Sequence, residues 1–108
     1  MNTDAITRLR AQCGGPRDGA LLRFALGQAL LAAGDAVAAA TELRAAVGFD
    51  PHYSAAWKLL GKALQATGDL DGAVSAWRAG MAVAEARGDV QAAKEMRVFL
   101  RRVESAPR

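Results

Sequence analysis

The chain has 108 residues, a length that suits one domain, and 52% of them are hydrophobic, with alanine the main contributor. Its formal net charge of +3 comes without a polybasic block, which argues against nucleic acid or a membrane surface as partner, and Cys13, the only cysteine, excludes an internal disulfide. The opening MNTDAITRLRAQC lacks the apolar segment of a secretory signal, and no apolar stretch approaches the ~20 residues that span a bilayer, so a soluble cytoplasmic protein is expected.

Strand-favouring runs of Val, Ile, Thr and aromatics are absent, so the elements are read as helices. Residues 4–12 predict a short helix with Ile6 and Leu9 apolar, and Gly14-Gly15-Pro16 then breaks the chain.

A repeat follows. Residues 20–53 align without a gap on residues 54–87, at an offset of 34, with ten identities. The Leu26-Gly27/Leu60-Gly61 and Gly34-Asp35/Gly68-Asp69 pairs carry most weight, because alanine-rich chains match by chance. Each unit reads as helix, tight turn, helix. In the first, Leu22, Leu26 and Leu30 share a helical face, and Gly34 falls where a helix end needs a left-handed residue. Asp35 can cap the next helix, to which Val37, Leu43 and Val47 supply the apolar side. Pro51 ends that helix and suits the first turn of the next. In the second unit Trp57, Leu60 and Leu64 lie on one helix and Val74 and Trp77 on the other, with Gly68-Asp69 between them.

A last helix is expected after Arg87-Gly88-Asp89, running to about Val103. Its apolar residues Ala92, Ala93, Met96, Phe99, Leu100 and Val103 form one stripe, and Lys94, Glu95, Arg97, Arg101 and Glu104 lie on the remaining face. The expected architecture is a single all-α domain of about six antiparallel helices. Residues 1–19 form a helix and linker, 20–53 and 54–87 two repeats, and 88–108 a capping helix and frayed tail.

The spacing resembles the tetratricopeptide pattern W-x2-L-G-x2-Y…A-x3-F…P. The second unit supplies Trp57, Leu60, Gly61, Ala73 and, in place of the phenylalanine, Trp77; the first supplies Leu26, Gly27, Ala39, Leu43 and Pro51 but has Arg23 in place of the tryptophan. The chain is similar to small bacterial-type two-repeat members with a C-terminal capping helix. Glycine inside a helix costs ~1 kcal/mol relative to alanine. Gly27 and Gly61 therefore predict the close approach of a neighbouring helix, with Ala39 and Ala73 as its small partners.

The resemblance implies that the first helix of each unit lines a concave groove. The groove positions would be Leu21, Phe24, Gln28 and Leu31 in the first unit and Ala55, Lys58, Lys62 and Gln65 in the second. An apolar wall beside a basic one fits an acidic or carboxylate-ended peptide with an apolar side chain; the alternative is that Lys58 and Lys62 only keep an exposed face soluble. Some members grip a chaperone's C-terminal carboxylates with Lys, Asn and Arg, but here Phe24, Gln28 and Leu59 stand at three of those positions, so that ligand is not expected.

No catalytic, cofactor or metal residues are predicted. His52 has no ligand-spaced partner, Cys13 has no base to activate it, and Gly14-Gly15-Pro16 lacks the Lys and Ser/Thr of a phosphate loop. The expected function is protein–protein interaction through the groove. The rivals are self-association through an end helix and weak nucleic-acid binding through Lys94, Arg97, Arg101 and Arg102, which mixed charge on the same helix disfavours.

Overall fold

A computed structural model describes residues 2–107 of the chain. They form six α-helices and, among the described residues, no strand. The helices are α1 (Asn2–Gln12), α2 (Ala20–Ala32), α3 (Ala36–Phe49), α4 (Ser54–Ala66), α5 (Leu70–Arg87) and α6 (Val90–Ser105).

The turns are built as the Gly-Asp pairs predict. After α2, the Gly34 and Asp35 amides donate to the carbonyls of Leu31 and Leu30, and Gly34 is left-handed with φ 87°. After α4, Gly68 and Asp69 donate to Gln65 and Leu64 in the same way. The aspartates then start the following helices: Asp35 accepts from the Ala38 amide at 3.1 Å and Asp69 from the Gly72 amide at 2.9 Å. Gly88-Asp89 repeats the device between α5 and α6, where Asp89 also accepts from the buried Ser54 hydroxyl at 3.0 Å. That bond ties the start of α6 to the start of α4.

Each helix packs on the next in chain order, and the layers are unequal. α2 touches α4 and α4 touches α6, whereas α3 and α5 do not approach one another. A double layer that is tight on one side and open on the other must curve, with α2, α4 and α6 on the inner side. The core runs between the layers, where Leu26, Leu43, Trp77 and Met96 are the largest fully buried side chains.

Four details differ from the sequence reading. Val37 does not join the apolar side of α3; it is 70% exposed, because the core face there is already taken by Ala39, Ala40, Leu43, Ala46 and Val47. Pro51 lies in the turn before α4 rather than in its first turn, and its carbonyl accepts the indole N–H of Trp57 at 2.8 Å. Gly27 and Gly61 are approached by the side chains of Leu43 and Trp77; Ala39 and Ala73, though fully buried, are not among the nearest atoms. The first and last helices each extend two residues beyond their predicted ends, from Asn2 and to Ser105.

Candidate functional site

The inner layer presents one residue pattern three times. Phe24, Gln28 and Leu31 on α2 are spaced like Lys58, Lys62 and Gln65 on α4 and like Glu95, Phe99 and Arg102 on α6. On a helix, steps of four and three residues stay on one face. The α4 and α6 sets meet directly: Lys58 Nζ lies 3.4 Å from both carboxylate oxygens of Glu95, 37 residues on, and Lys62 Nζ lies 4.9 Å from the centre of the Phe99 ring. The step between these helices differs from the repeat of 34 because α5 is longer than α3, 18 residues against 14, while the turn that follows it is shorter.

The apolar end of the face is on α2. Leu21 is 73% exposed, Gln28 is exposed, and Leu31 is half-buried. Phe24 is half-buried, with its ring centre 5.0 Å from that of Tyr53. Burial raises the pKa of the Tyr53 hydroxyl, with a smaller push from Asp50. Phe24 therefore offers a ring held by the aromatic residue ahead of α4, not a freely turning side chain.

The basic end is a cavity of about 350 Å³ between α4 and α6, lined by Lys62, Gln65, Phe99 and Arg102. Phe99 is backed by Trp77, with ring centres 5.3 Å apart. The structure thus brings Lys62 and Gln65 into one cavity; Leu21, Phe24, Gln28 and Leu31 do not line it, and Lys58 lies beside it in a pair with Glu95. Sequence reasoning missed the contribution of α6 to this face. The repeated spacing of Glu95, Phe99 and Arg102 was the available signal, hidden because it does not fall at the 34-residue offset.

The strongest charge network lies at the other end of the molecule. Arg23, standing where the family pattern has tryptophan, donates twice to Asp18 at 2.8 and 2.9 Å and once to Glu42 at 2.9 Å. The Arg23 guanidinium, helped by the Gly14 amide, holds the Asp18 carboxyl well below the usual carboxylate range, and Asp18 in turn raises the pKa of Arg23. This network fastens the linker after α1 to α2 and α3. His52 is exposed, and the Cys13 thiol is half-buried and directed at the Leu9 carbonyl at 3.7 Å. Among the described residues no cluster of three His, Cys, Asp or Glu is placed to hold a metal, and no helix is long and apolar enough to cross a membrane.

Comparison with known proteins agrees with this architecture. The tetratricopeptide repeat model matches residues 30–96. The TPR repeat-containing protein PA0015 of Pseudomonas aeruginosa is 60% identical over 89 residues, which is 82% of this chain and 85% of that protein. The solution structure of protein BPP2914 from Bordetella parapertussis is 49% identical and superposes with a TM-score of 0.78 over 92% of this chain and 86% of that one. A chain in the crystal structure of a T3SS complex from Aeromonas hydrophila superposes with a TM-score of 0.90, covering 96% of this chain and 70% of that one, at 20% identity. A family match over residues 30–96 and a relative 60% identical over 82% of the chain show that the chain belongs to the tetratricopeptide-repeat family.

Proposed function

We propose that the chain is a protein–protein interaction module that presents the face of α2, α4 and α6 to a peptide or helix of a partner, with no catalytic chemistry of its own. The observation that carries this reading is the 73% exposure of Leu21 on a face that continues into the half-buried Phe24 and Leu31 and then into Lys62 and Arg102. An apolar side chain left in water, on a face that carries a preformed cavity at its other end, is what a binding surface requires. The Aeromonas chain of the same fold was solved as part of a complex, which supports protein partners here. A cytoplasmic location belongs to the same reading.

The rivals have less support. Self-association through α6 would use its outer face, where Val90 and Val98 are exposed but interrupted by Lys94, Arg97 and Arg101. For nucleic-acid binding, Arg97, one of the four cations on α6 that it would use, is already paired with Glu85. Quantitative affinity capture from the host, comparing wild type with Leu21→Glu, tests the proposal. The same partner should be lost with the variant while the helical spectrum is kept; retention at the wild-type level would contradict it.

A further inference from the structure

The cavity between α4 and α6 carries two cations and no anion. The next cation along α4, Lys58, is neutralised by Glu95 at 3.4 Å. Lys62 and Arg102 have no acidic partner within ion-pair distance among the described residues. Both border the same space of about 350 Å³, with the Gln65 amide as a further wall. Lys62 instead rests over the Phe99 ring, 4.9 Å from its centre, a weaker substitute for a carboxylate. The ring itself is braced from within the core by Trp77.

From this geometry we infer that the cavity is a receptor for one glutamate side chain of a partner peptide, a conclusion that rests on the inner face being the binding surface. Each wall matches one part of that side chain. The two methylenes lie along the apolar Phe99 ring, the carboxylate takes the planar fork of Arg102 and the ammonium of Lys62, and the Gln65 amide donates to an oxygen left over. The anion also relieves the repulsion between two cations facing one small space. Lys58, although it was the other lysine singled out in the sequence, contributes little because Glu95 already answers it.

The test is an NMR titration of the full chain, into the millimolar range, with the doubly blocked peptide acetyl-Ala-Leu-Glu-Ala-Leu-Ala-amide. It is compared with the same peptide carrying Gln for Glu, and with that Gln peptide bearing a free C-terminal carboxylate. Saturable shifts at Lys62, Phe99 and Arg102 are expected with the glutamate peptide. Affinity should be weaker by ~10-fold for the blocked Gln peptide, and by a similar factor for the Lys62→Gln/Arg102→Gln variant, while Arg44→Gln, at an exposed position on α3, stays within ~2-fold. Equal binding of Glu and Gln peptides, or no shift at the cavity, overturns the inference. Equal binding of the free-carboxylate Gln peptide also overturns it, showing that the cavity reads a chain end. If the cavity stays silent while an authentic partner still perturbs Leu21 and Phe24, the glutamate site fails and the interaction face stands. Shifts confined to α3 and α5 would remove both.

Discussion

The indole of Trp77 occupies the space where Gly61 has no side chain, and its N–H donates to the Lys58 carbonyl at 3.0 Å. A Cβ added at Gly61 would collide with the indole nitrogen of Trp77. The absent side chain is therefore what lets a ring on α5 reach the backbone of α4. Leu43 approaches Gly27 in the same way in the first unit, with 2.6 Å to an added Cβ.

Gly61→Ala should consequently destabilise the protein by about 1–3 kcal/mol, although alanine is the better helix former. Chemical denaturation measures it. Combining it with Trp77→Leu should recover part of the Gly61→Ala penalty, since the shorter side chain leaves room for the methyl group. An alanine variant as stable as wild type would show that the two helices separate easily.

Met96 is fully buried, and its sulfur would lie 2.6 Å from a Cβ on Gly80. Met96→Ala should cost about 2–5 kcal/mol by opening a cavity between α5 and α6. Thermal melting reads this directly. A change below about 1 kcal/mol would mean that α6 is an appendage, not part of the core.

The Asp18–Arg23 pair sets a pH dependence. The folded-state pKa of Asp18 lies below its unfolded value of about 3.9. Its contribution to stability is therefore complete above that value and lost as the pH falls through the acid range. Asp18→Asn should lower the melting temperature at pH 7 and flatten its fall between pH 5 and pH 3. Parallel curves for wild type and variant would remove Asp18 from the acid response.

The Lys58–Glu95 pair joins half-exposed groups, with side chains 28% and 38% accessible. A double-mutant cycle with alanine should yield a coupling of only about 0.2–1 kcal/mol, falling with salt. A larger, salt-insensitive coupling would show that the pair clamps α6 to α4.

The helices and their turns were legible in the sequence because Gly-Asp pairs at a fixed period leave few alternatives for the backbone. Gly61 announced a close approach, but not that Trp77 makes it: a helical pattern tells which face is apolar, not which side chain fills a gap. Val37 was misplaced because one apolar residue near a helix start fits either edge of the stripe. The face was read from α2 and α4 alone. The longer α5 shifts α6 out of the 34-residue register, so Glu95, Phe99 and Arg102 became neighbours of Lys58, Lys62 and Gln65 only in three dimensions.

Site-specific photo-crosslinking in the host tests the central claim most directly. A photoreactive phenylalanine analogue placed at Gln28 or Gln65 samples the inner face; placed at Thr41 or Ser75 it samples exposed positions on α3 and α5. One and the same partner should be trapped from Gln28 and Gln65 and not from Thr41 or Ser75. A partner trapped only from Thr41 or Ser75 would contradict the assignment of α2, α4 and α6 as the binding surface.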